Sequence, residues 1–97
     1  GQVDSKDEVL SSLASHAAET DALKKFKDKK LYELLKQREE MGSTGFGEGV
    51  AIPHCSIKGI KRFVVGLMLV PKGVDFDAID GSPVSIFFVI IGPQEER

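Results

Sequence analysis

The sequence predicts an α/β domain in which two helices precede the strands. Three observations carry that expectation. Apolar residues recur at helical spacing in two stretches ahead of residue 42. Two nearly unbroken apolar runs, Phe63 to Val70 and Val84 to Ile91, follow it and read as strands, the first of them covered on both faces. Between the two halves, a glycine-rich segment leads from a helix into a short strand that ends on a histidine. A length of 97 residues suits one domain, residues 1–97.

Ser5-Lys6-Asp7-Glu8 has the spacing of a capping box, a hydroxyl with a carboxylate three residues on. Val9, Leu10, Leu13, Ala14 and Ala17 then form one stripe, so helix one is expected from about Ser5 to Glu19, with His16 half-exposed beside the stripe. Ala22 to Lys30 is lysine-rich and reads as a solvated connector. Helix two is expected from about Asp28 to Met41, with Leu31, Leu34, Leu35 and Met41 on one face and Arg38 near its middle. Glu33, Lys36, Glu39 and Glu40 are expected to point elsewhere. A guanidinium on an apolar stripe is costly unless an anion meets it, which makes Arg38 a candidate anion ligand.

Gly42 to Gly49 reads G-S-T-G-F-G-E-G. Gly42 suits the left-handed position after a helix. Gly45 and Gly47 allow close backbone approach, and Ser43 and Thr44 add hydroxyl donors, so Ser43, Thr44, Gly45 and Gly47 are candidate phosphate-binding residues. The segment is neither a Walker A loop, lacking Gly-Lys-Ser/Thr, nor a dinucleotide fingerprint, since it follows a helix and precedes a strand. Val50 to His54 reads as a short strand, with Ile52 and His54 on one face and Ala51, Pro53 and Cys55 on the other. His54 is thereby a candidate nucleophile at a strand end, and Cys55 a packing residue turned away from it.

Ser56 to Lys61 reads as a basic turn, Pro71-Lys72-Gly73 as a turn, Val74 to Ala78 as a half-exposed strand, and Asp80-Gly81-Ser82-Pro83 as a hairpin turn. Gly92-Pro93 ends the last strand, and Gln94 to Arg97 is polar. Asp75, Asp77 and Asp80 lack the spacing of a calcium loop, and no His/Cys cluster has zinc spacing, so no metal is expected.

Composition narrows the function classes. Hydrophobic and charged contents of 41% and 29% are those of an ordinary globular chain. A net charge of −2 favours neither nucleic acid nor an anionic membrane as partner. One cysteine excludes an internal disulfide and fits a reducing compartment. No apolar run approaches the roughly 20 residues of a membrane span, and no signal-peptide pattern opens the chain.

The stretch from Arg38, R-E-E-M-G-S-T-G-F-G-E-G-V-A-I-P-H, resembles the active-site signature of the fructose/mannitol-type enzyme IIA domains of the bacterial phosphoenolpyruvate-dependent sugar phosphotransferase system. So do G-V-D-F-D-A-I-D-G-S-P-V and the S-K-D-E-V-L start of helix one. The resemblance implies a single α/β domain with a mixed β-sheet flanked by helices. It implies a cytoplasmic phosphocarrier without a cofactor. His54 would accept a phosphoryl group from HPr and pass it to enzyme IIB for sugar uptake. Arg38 matches the family's active-site arginine, and Thr44 lies in the loop beside the histidine.

The chain departs from that family pattern at both ends. Family members begin with a strand ahead of helix one. They continue past the last strand into a His-Leu motif carrying a second active-site histidine, so the expectation is a partial domain. Three competing readings stand beside sugar transport. One is a regulatory enzyme IIA-like module, of nitrogen type or attached to a transcriptional regulator, in which phosphorylation switches protein binding. Another is a fragment that folds but is not phosphorylated. The last is an unrelated structural domain. D-A-I-D-G-S-P-V leans toward the sugar type. Neither the sugar nor the oligomeric state is legible, and the resemblance does not say which imidazole nitrogen reacts.

Overall fold

The computed structural model describes residues 4–94; the last three residues of the polar stretch that ends the chain lie outside that range. Helices α1 (Lys6–Ala18) and α2 (Asp28–Glu40) precede strands β1 (Gly45–Gly47), β2 (Val50–Ala51), β3 (His54–Ile57), β4 (Val64–Val74) and β5 (Val84–Pro93). Ser5 caps α1 as its spacing predicts: its Oγ accepts from the Glu8 N–H at 3.2 Å. Val9, Leu10, Leu13, Ala14 and Ala17 are the buried residues of that helix.

β5 is the spine of a mixed sheet. On one edge it pairs in parallel with β2 (Val50 opposite Ile86, Ala51 opposite Phe87) and with β3 (His54 opposite Ile90 through Ile57 opposite Pro93). On the other edge it pairs antiparallel with β4. β2 and β3 are thus one strand line interrupted at Ile52-Pro53. Pro53, which has no N–H to give a ladder, is buried at the break. β1 pairs antiparallel with β2 and completes the sheet. Ala51, Ile57, Phe87, Val89 and Ile91 face the helices and join Leu13, Leu31 and Leu35 in one core. Phe76 and Phe87 meet edge-to-face at its centre, ring centroids 5.1 Å apart.

Several expectations are corrected. The strand expected over Val50–His54 is split, and its second half runs on to Ile57, into the segment read as a basic turn. Pro71-Lys72-Gly73 is not a turn between strands; it lies within β4, where the register with β5 shifts between Leu69 and Val74. Residues 75–78 keep the expected alternation, with Phe76 and Ala78 buried and Asp75 and Asp77 exposed, but are not a strand. Asp77 sits at φ 54°, and its N–H is taken by the Asp75 carboxylate, so the segment turns on its own side chains. The β4 run is not covered on both faces. Val65, Leu67 and Leu69 are 65%, 59% and 61% exposed, because among the described residues both helices lie on the opposite side. An apolar run records composition and not which elements cover it.

This arrangement makes a test. Phe87→Ala should destabilise the fold by about 3–5 kcal/mol, through lost transfer energy and an unfilled cavity. Leu67→Ala on the open side should stay within about 0.5 kcal/mol. Urea midpoints of the two variants check the contrast; equal losses would place the core elsewhere.

Candidate functional site

The site forms where the end of α2 meets the break in the strand line. Arg38 lies in the last turn of α2 and is half-buried. Its Nε–H donates to His54 Nε2 at 3.2 Å, and its Nη1 donates to the Gly42 carbonyl at 2.8 Å. The second contact holds the guanidinium in place while the first points at the imidazole. His54 is exposed, the first residue of β3, and its Nδ1 lies 2.8 Å from the Ile52 carbonyl.

The protonation pattern follows from the partners. A guanidinium only donates and a carbonyl only accepts. His54 Nε2 therefore presents its lone pair to Arg38, and Nδ1 carries the proton given to Ile52. The nitrogen left for chemistry is Nε2. Cys55 points the other way, against the core, and burial pushes its thiol up to about 11. It is a protonated, unreactive packing group at neutral pH, as its strand position predicts.

The glycine-rich loop is built differently from the cradle expected of it. Ser43 Oγ donates to the Phe76 carbonyl at 2.7 Å and accepts from the Gly45 N–H at 3.0 Å. Thr44 is buried; its N–H donates to Glu39 Oε1 at 3.1 Å and its hydroxyl to Glu39 Oε2. The Gly42 N–H closes the helix onto the Glu39 carbonyl at 3.0 Å, and the Glu48 N–H goes to Asp80 Oδ2 at 2.9 Å. The hydroxyls of Ser43 and Thr44 and the N–H groups of Thr44 and Gly45 are thus already engaged within the protein. Gly45 and Gly47 also lie tight against their neighbours. A Cβ at Gly45 would stand 3.0 Å from the Ala78 backbone, and one at Gly47, where φ is 117°, would stand 3.2 Å from the Asp80 carboxylate.

Of the residues singled out from the sequence, His54 and Arg38 meet, while Ser43, Thr44, Gly45 and Gly47 shape the loop beside them. Glu39 was missed. It was expected to point away from the core, yet it is buried, and Met41, expected in the stripe, is exposed. The buried line of α2 is Leu31, Leu35 and Glu39, four residues apart each time. Arg38 sits at its margin, where it reaches β3. Lys6 Nζ meets Glu39 Oε1 at 3.0 Å, supplying the opposite charge that a buried carboxylate requires.

Comparison with known proteins bears on this geometry. The family described as "Phosphoenolpyruvate-dependent sugar phosphotransferase system, EIIA 2" matches residues 1–97. The chain belongs to that family. It is 41% identical over 90 residues to a nitrogen regulatory protein of Pseudomonas aeruginosa, covering 93% of this chain and 57% of that protein. Among solved structures it is similar to the nitrogen regulatory protein IIA-Ntr of Neisseria meningitidis, with a TM-score of 0.86 and 33% identity over 98% of this chain and 63% of the other. The mannitol IIA of Escherichia coli, at 17% identity and a TM-score of 0.78, covers 99% of this chain and 67% of its own, and shares the fold. This enzyme IIA domain therefore spans about three-fifths of the length of the regulatory relatives it matches. No helix among the described residues is long and apolar enough to cross a membrane.

Asp80 gives the site a pH signature. Backbone N–H groups of Glu48 and Ser82 hold its carboxyl below the usual aspartate range. A lowered folded pKa adds stability above the unfolded value of about 3.9, and that stability is lost as pH falls through the folded value. Asp80→Asn should therefore lower the urea midpoint at pH 6, and the gap to wild type should close below about pH 4. A gap that persists unchanged into acid would contradict the clamp.

Proposed function

We propose that His54 is the phosphoryl acceptor of a regulatory phosphotransfer module of the nitrogen-regulatory kind. One observation carries this: the exposed imidazole has its proton held at Nδ1 and its Nε2 lone pair facing an anchored guanidinium. The donor would be a phosphohistidine on a small carrier protein such as HPr, in keeping with the family.

The step is a displacement at phosphorus. The His54 Nε2 lone pair forms the new N–P bond. The bond from phosphorus to the donor nitrogen breaks, and that nitrogen keeps the electron pair. The Nδ1 proton stays where it is. As the ring gains positive charge, its hydrogen bond to the Ile52 carbonyl strengthens, so this contact favours the transition state over the ground state. Arg38 loses its nitrogen acceptor as the lone pair is used and turns its N–H groups to the phosphoryl oxygens, where charge is spread.

Sugar uptake through an enzyme IIB is the first reading of the sequence, and regulation the second. Relatives matching nearly the whole chain carry regulatory names, which favours the reverse order. In the regulatory reading the phosphorylated and free forms of His54 differ in charge at an exposed point of the surface, enough to change which protein docks there.

Incubation with phosphoenolpyruvate, enzyme I and HPr tests the proposal. Acid-labile, base-stable phosphate should appear and vanish in His54→Ala. Arg38→Met should retain the fold and lower the labelling rate by about 10²-fold, the usual cost of one preorganised donor to a developing anion. Unchanged kinetics in Arg38→Met would make the arginine structural. Onward transfer of label to a sugar-specific enzyme IIB would return transport to first place.

A further inference from the structure

Arg38 and Glu39 are joined by one peptide bond, and a chain of hydrogen bonds leaves one and returns to the other. The Glu39 carboxylate accepts both the N–H and the hydroxyl of Thr44. The Thr44 carbonyl accepts the Ile52 N–H at 3.1 Å. The Ile52 carbonyl accepts Nδ1–H of His54 at 2.8 Å, and His54 Nε2 accepts from Arg38 Nε at 3.2 Å. The circuit is closed.

We propose that Glu39 is a positioning residue for His54, acting through Thr44 and Ile52 to hold the imidazole in the Nδ1–H tautomer with the Nε2 lone pair turned toward Arg38. Ile52 lies in the gap between β2 and β3, followed by a proline. Its peptide is set by the contact to Thr44, and Thr44 is set by Glu39. A carboxylate needed only to pair with Lys6 would use one oxygen; here Lys6 shares Oε1 with the Thr44 N–H, and Oε2 is given to the Thr44 hydroxyl. The Lys6 ammonium also offsets a negative charge that would otherwise repel an arriving phosphoryl group. Loop, helix end and histidine thereby form one rigid unit, and the engaged hydroxyl of Thr44 has a role in that unit.

The rate readout rests on the acceptor role proposed for His54; the geometric readout does not. Wild type, Glu39→Gln and Thr44→Val are compared with Leu13→Ala, a core variant that destabilises without touching the circuit. Long-range 1H–15N NMR of His54 reports the tautomer, and phosphoramidate supplies a small phosphoryl donor. Glu39→Gln and Thr44→Val should shift His54 from one tautomer to a mixture and slow labelling per folded molecule by about 10- to 100-fold, as small misplacements of reacting groups do. Leu13→Ala should lower thermal stability and leave tautomer and specific rate alone. Should Glu39→Gln not fold, Thr44→Val carries the test. An unaltered tautomer and rate in the folded variants overturns the positioning role while leaving the acceptor role standing. If wild type takes no label at His54, the acceptor role fails, and the tautomer result alone decides whether Glu39 positions the ring.

Discussion

Arg38 and Glu39 leave the last turn of α2 toward different neighbours, and the local structure depends on both arrivals. Arg38 reaches the imidazole across the edge of β3, while Glu39 reaches down to Thr44 and Lys6. Neither destination is independent of the other. The helix end is pinned by the buried carboxylate, which sets where the guanidinium begins its reach. The Gly42 carbonyl then sets where it stops. A charged pair of residues at a helix C-terminus usually contributes little beyond solubility; burial of one and anchoring of the other makes this pair the frame of the candidate site.

The glycine-rich loop belongs to the same frame. At Gly45 and Gly47 the Ala78 backbone and the Asp80 carboxylate stand close against the chain and leave little room for a side chain. Ser43, Thr44 and Glu48 tie it to the 76–82 segment and to Glu39. The loop therefore acts as a spacer of fixed shape between α2 and the strand line. Among the described residues, His54 hydrogen-bonds one guanidinium and one backbone carbonyl, and these two contacts orient its ring.

Much of this was legible in the residues. The cap at Ser5 and the stripe from Val9 to Ala17 are local patterns, and local hydrogen bonding and periodicity were enough to place α1. The meeting of Arg38 and His54 was legible in a short loop that joins a helix end to a strand end, although Arg38 lies at the margin of the buried face and not in its middle. Most of what failed depended on a distant segment, and one failure was local. Glu39 falls outside the face drawn through Leu31, Leu34, Leu35 and Met41, and its burial depends on Lys6 and Thr44, which it meets only in three dimensions. The sequence does contain a trace, since Leu31, Leu35 and Glu39 keep a strict spacing of four, but Met41 drew the expected stripe aside. The apolar run of β4 looked two-sided because composition does not say how many layers will cover a strand. Val74 to Ala78 alternates as a strand would, yet Asp75 and Asp77 bend it with their own carboxylate and backbone.

The most direct measurement is the atom that carries phosphorus. In 31P and 15N NMR of the phosphorylated, 15N-histidine-labelled protein, the account requires phosphorus coupled to Nε2 of His54, with Nδ1 still protonated. Phosphorus on Nδ1, or on any side chain other than His54, would contradict it.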